Sequence, residues 1–113
     1  MFDFLDMIDN YEERLVANDK RDDVEVDTVL ITDAEYQYET AVRHPKYNDN
    51  EWIVVQGYDT KERAMKGHNH WVKVMTADIL PAKLVDVSTA KTAKFVDEVT
   101  GDNSWREFNK DTK

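Results

Sequence analysis

The spacing of apolar and polar residues changes period several times along the chain, and each change marks an element. Phe2, Leu5, Ile8 and Leu15 recur near helical spacing, with Met7, Tyr11 and Val16 beside them, while Asp3, Asp6, Asp9, Glu12 and Glu13 take the other positions. This predicts an amphipathic helix over residues 2–17 with an acidic outer face, its first carboxylates suited to the positive end of the helix dipole. Asn18 reads as the terminator and NDKRDD as a polar link, so residues 1–20 form a lead-in.

From Val24 to Thr32 the pattern becomes that of a strand: Val24 and Val26 alternate with Glu25 and Asp27, then Val29, Leu30 and Ile31 run together. Asp33-Ala34-Glu35 is a short connection. Tyr36, Tyr38, Thr40 and Val42 then share one face of a second strand, and Gln37, Glu39, Ala41 and Arg43 the other. HPKYNDN is a loop, because His44 precedes a proline and Asn48, Asp49 and Asn50 tolerate turn dihedrals. Residues 52–58 return as a central strand covered on both faces, with Trp52, Val54 and Tyr58 on one side and Ile53 and Val55 on the other.

Asp59 and Thr60 end that strand and open a helix over 60–76, with capping-box spacing between Asp59 and Glu62. Its inward stripe is Ala64, His68, Trp71, Val72 and Met75. Gly67 costs about 1 kcal/mol relative to Ala in a helix interior, which points to a close approach, here to the sheet. ADILPAK is an irregular connector, residues 84–87 a short strand, and Ser88 an N-cap for a short helix anchored by Phe95 and Val99. The expected fold is α+β: an antiparallel sheet of three or four strands with one helix packed on a face, plus N-terminal and C-terminal helical segments. Residues 1–101 form one domain, with the sheet and helix core at 24–76 and the connector and short helix at 77–101. Residues 102–113 read as a polar tail.

Composition narrows the class. At 113 residues with 41% hydrophobic content the chain is one domain with a modest core. Cysteine is absent, so neither a disulfide framework nor a thiolate metal site is available. The acidic N-terminus lacks the basic region of a signal peptide, and no apolar stretch approaches the roughly 20 residues of a membrane span. The expectation is a soluble protein that binds no membrane. Residues 1–51 hold 15 Asp and Glu against 5 Lys and Arg, a net of −10; residues 52–113 hold 9 against 10, a net of +1. Direct nucleic-acid binding is not expected, because phosphate contacts need clustered Lys and Arg. The acidic half would serve as a solvated surface or meet a basic partner.

The chain carries no complete catalytic pattern. His68 and His70 form H-x-H, but helical positions two apart point roughly 200° apart and do not share a metal. His44 is placed to approach His68 across the hairpin; His68 is expected to bond a backbone carbonyl or the His44 loop, and His70 to lie on the surface. Ser88 and Ser104 have no histidine paired in sequence, and three glycines do not build a phosphate cradle. No enzyme, metal or cofactor is expected.

Residues 38–88 resemble small proteins encoded by tailed bacteriophages. The resemblance rests on ETAV-H-P-YN from Glu39, W-I-V-V from Trp52 with Tyr58 and Asp59-Thr60-Lys61, GH-x-x-W-V-x-x-M-T from Gly67, and L-x-D-V-S from Leu84. It covers about half the chain and implies a phage origin beside virion structural and assembly genes; it transfers no catalytic residue. The expected function is a non-enzymatic virion structural or assembly protein, made in the host cytoplasm and docking onto capsid, connector or tail subunits or onto itself. Aromatic and apolar anchors at the ends, Phe2, Phe4, Leu5, Trp105 and Phe108, are the expected partner-binding residues. The alternative is an acidic host-takeover or anti-defence inhibitor that occupies a basic nucleic-acid-binding protein.

Overall fold

Four antiparallel strands form the main sheet in the order β1-β2-β3-β4: β1 Leu15–Arg21, β2 Val24–Leu30, β3 Tyr38–Arg43 and β4 Ile53–Tyr58. The computed structural model describes residues 11–31, 37–88 and 91–112. Helix α2, Lys61–Met75, packs across one face, so the fold is α+β, as the periodicity predicts. A one-turn helix α1, Tyr11–Arg14, precedes the sheet, and helix α3, Lys91–Thr100, follows it. Strands β5, Lys83–Val85, and β6, Glu107–Asn109, pair as a second small sheet.

Residues 2–10 of the predicted N-terminal helix lie outside the described residues, as do Phe2, Phe4 and Leu5 and the connection at 33–35. Its last three positions and the supposed link are a correction: Leu15–Arg21 is an edge strand paired with β2 from Leu15↔Val29 to Arg21↔Val24. The turn between them uses Asp22 at φ 54°, a left-handed position that Asp tolerates. A polar edge strand needs no apolar alternation, so pairing overrides the local helical spacing here.

Register divides the main sheet into two faces. Val26, Thr28, Thr40, Val42, Ile53 and Val55 face α2, and Glu25, Asp27, Val29, Glu39, Ala41 and Val54 face the other way. The ladder between β3 and β4 shifts register after Thr40↔Gln56, next to Ala41↔Val54, leaving Val55 as the extra residue of a bulge. That bulge carries Gln56 and Tyr58 to the α2 face, whereas strict alternation places Tyr58 with Val54. At the β3–β4 loop, Asn48, Asp49 and Asn50 take φ of 50°, 51° and 64°, as their residue types predict.

Helix α2 is capped by Thr60, whose Oγ1 accepts the Arg63 N–H, rather than by an Asp59–Glu62 box; Asp59 instead pairs with the Arg63 side chain. Its buried residues are Ala64, His68, Val72 and Met75. Trp71 stands at the edge of the stripe, half-buried, with Nε1 donating to Gln56 Oε1 at 2.8 Å.

Residues 104–111 correct the reading of a tail. Phe108 lies opposite Leu84 and packs on the core, Asp86 N–H bonds Arg106 O, Lys110 N–H bonds Ala82 O, and Asp111 N–H bonds Lys46 O. The segment is short and polar, so its place depends on partners far away in sequence. β4 is an edge strand of the main sheet and not the central strand its apolar run predicts; Val87 N–H bonds Val54 O and joins the small sheet to that edge.

Candidate functional site

A chain of hydrogen bonds crosses the interface between α2 and the sheet. His68 is 1% exposed, with Nε2 2.8 Å from Asp19 Oδ1 and Nδ1 2.8 Å from Thr28 Oγ1. Thr28 meets the Thr40 hydroxyl at 2.6 Å, and Thr40 meets the Tyr58 hydroxyl at 3.0 Å. Tyr58 in turn reaches Gln56 Oε1, the acceptor of Trp71. The geometry fixes a tautomer for neutral His68: a carboxylate accepts, so Nε2 carries the proton and Nδ1 accepts from Thr28. The chain satisfies polar groups that would otherwise be stranded in an apolar interface. His68 is therefore on the inward stripe, as its spacing predicts, but its partners are Asp19 and Thr28 rather than a carbonyl or the His44 loop. His44 Nδ1 accepts the Lys46 N–H and its ring meets Tyr47 edge-on. His70 is exposed beside Trp71.

Asp19, His68 and Thr28 stand in the carboxylate–imidazole–hydroxyl order of a nucleophile relay. Thr28 is fully buried, and it lines neither the groove along α2 nor the groove beside His44. A nucleophile must touch its substrate, and here the Thr28 hydroxyl is turned toward Thr40 and His68 inside the fold, where the bonds tie α2 to the sheet. The larger groove, about 620 Å³, runs along α2 beside Tyr58, Arg63, Lys66 and His70. Its cations are already engaged, Arg63 with Asp59 at 3.0 Å and Lys66 with Glu62 at 3.5 Å. The smaller groove, about 410 Å³, includes His44, whose pKa burial lowers, with Lys46 adding to the effect. Among the described residues no group of three or more His, Asp or Glu is placed to hold a metal. No helix among them is long and apolar enough to cross a membrane.

On the opposite face of the sheet, Tyr11 and Asn18 donate to Asp27 Oδ1, and Arg43 donates to Glu25 at 2.7 Å. Asp27 Oδ2 is buried with no hydrogen-bond partner among the described residues, and burial raises the Asp27 pKa. Burial, with Asp27 beside it, raises the Tyr11 pKa well above the usual phenol value, so Tyr11 remains a donor.

Ile79, on the connector after α2, is the most exposed large apolar residue among those described, but it stands alone; two adjacent ones lie on α3. Arg106 is buried at the foot of α3, donating to Asp97 and to the Asp86 and Ser88 carbonyls. This clasp turns the Asp97 side of α3 inward, with Ala93 and Val96 half-buried beside it. Phe95 stands 200° from Asp97 on a helix, so the clasp turns it out. Phe95 is 63% exposed and Val99 67% exposed. The spacing predicts Phe95 and Val99 as the anchor of this helix; the structure turns them outward, because the Asp97–Arg106 pair, nine residues apart, sets its rotation. Of the expected docking residues, Trp105 is 38% exposed, donating from Nε1 to Asp97 and stacked under Arg106 at 4.8 Å. Phe108 is half-buried in the core, which removes it as a free anchor.

Comparison of the chain with protein-family models, with curated proteins and with solved structures finds no match.

Proposed function

We propose that the chain is a non-enzymatic docking protein of a phage virion, a structural or assembly component that binds repeated subunits. The observation that carries this reading is the Phe95–Val99 ridge: two large apolar side chains held outward on a helix whose rotation is set by a half-buried salt bridge. Exposed apolar residues adjacent on one helix face mark interaction surfaces. The resemblance of residues 38–88 to small tailed-phage proteins supports the virion as the place of docking. The burial of the Thr28 hydroxyl favours binding over chemistry.

The acidic-inhibitor alternative draws on the −10 charge of residues 1–51. Burial of Glu25, Asp27 and Glu39 weakens it, because carboxylates turned into the sheet offer nothing to a basic partner. Mass spectrometry of purified particles separates the two. A virion component is retained through purification; an inhibitor is expressed early and is absent from particles.

A further inference from the structure

We infer that the ridge on α3 pairs with the same ridge of a second copy, antiparallel across a two-fold axis near Val96. The inference deepens the docking reading above and rests on it, by naming the first partner of that surface.

Three observations point to a copy of this chain. Phe95 and Val99 lie one turn apart and share a face, so the surface is a narrow apolar stripe rather than a cup for a foreign side chain. Lys94 and Glu98 flank the stripe on one side; both are exposed, and neither enters an ion pair among the described residues. A lysine four residues before a glutamate is the weaker order for a pair within one helix. The charge order is also reversed against the dipole: α3 has no acidic residue in its first turn and no basic residue in its last.

An antiparallel partner corrects both faults at once. A two-fold axis lying in the interface and crossing the helices at Val96 brings Lys94 level with the partner's Glu98, on the same side of the stripe, and repeats the pair by symmetry. Each Phe95 then lies one residue from the axis, so the two rings are offset by about 3 Å along it and pack over each other, with Val99 covering the outer edge. The opposed helix dipoles run antiparallel. A patch of two helical turns is smaller than the roughly 1,200 Å² of a standard stable interface, so the association is weak and concentration-dependent, a contact to be reinforced by repetition in an assembly.

The test is sedimentation equilibrium of the full chain at low ionic strength over a wide concentration range, with circular dichroism as the check of folding. The wild type is expected to show a reversible monomer–dimer equilibrium. Lys94→Glu and Glu98→Lys each place like charges across the axis and weaken it by about tenfold or more. The double variant Lys94→Glu/Glu98→Lys restores dimerisation, and Phe95→Ser abolishes it with an unchanged spectrum. A wild type that stays monomeric at about millimolar concentration, or a double variant that fails to recover, overturns the pairing. In that event the docking reading is judged separately. A Phe95→Ser chain that folds but no longer enters particles means the ridge holds a different virion protein, whereas unchanged entry removes the ridge from docking as well.

Discussion

The ring of Tyr58 lies against the bare Cα of Gly67: a Cβ built at Gly67 would fall 2.2 Å from Tyr58 Cε1 and from its hydroxyl oxygen. Tyr58 has little freedom to yield, being 5% exposed and bonded to Thr40. The glycine is thus the close approach of helix to sheet that its place in the α2 pattern implies. Gly67→Ala should lower stability by about 1–3 kcal/mol, overriding the gain of about 1 kcal/mol that alanine brings to a helix. In a Tyr58→Ala background the same substitution should stabilise. Denaturant unfolding of the four chains reads the change of sign.

His68→Leu should cost about 2–3 kcal/mol, because it leaves the Thr28 hydroxyl and Asp19 without their shared partner inside the fold. Thr28→Val added to it should cost less than its own single effect. Once the histidine is gone, removing the hydroxyl gives up only its bond to Thr40. Strict additivity of the two substitutions in urea unfolding would show that the hydrogen-bond chain is not one unit.

Stability should pass through a maximum as pH is varied. Burial raises the Asp27 and Asp86 pKa values above 3.8, so the native state disfavours their ionised forms and loses stability as pH rises from 3.8 through the raised values. Asp97 is lowered by its bonds to Arg106, and Asp102 by its bonds to Ser104, so their contribution is present above 3.8 and is lost as pH falls below it. Melting temperature followed from pH 3 to 8 should rise and then fall. Asp27→Asn should flatten the limb above the maximum.

Arg106→Ala should destabilise the chain by roughly 2 kcal/mol, since it removes donors to a carboxylate and to two carbonyls at a residue that is 9% exposed. It should also release the rotation of α3. Removing residues 104–113 should do more, taking β6 from β5 and uncovering Leu84. Hydrogen exchange at residues 91–100 that is unchanged by Arg106→Ala would contradict the clasp.

What the sequence reveals depends on how local the cause is. Strands β2 to β4 and helix α2 show in the alternation of residues 24–58 and in the Ala64, His68, Met75 stripe, because each is stabilised by its own buried face. β1 and β6 do not show. The first is a polar edge, and the second has Phe108 as its single apolar residue, so both exist through pairing. Tyr58 changes face through a one-residue bulge that no residue type announces. His68 is legible as an inward histidine, but its partner Asp19 lies 49 residues away in a segment that reads as a loop. The outward turn of Phe95 follows from Asp97 and Arg106, whose pairing only the fold brings about.

The most direct measurement is the number of copies of this chain per purified phage particle, for the wild type and for a folded Phe95→Ser variant supplied in its place. The account predicts on the order of tens of wild-type copies per particle, as repeated subunits in a virion require, and a strong depletion of the variant. Particles that lack the wild-type chain, or that take up the variant as readily as the wild type, would contradict it.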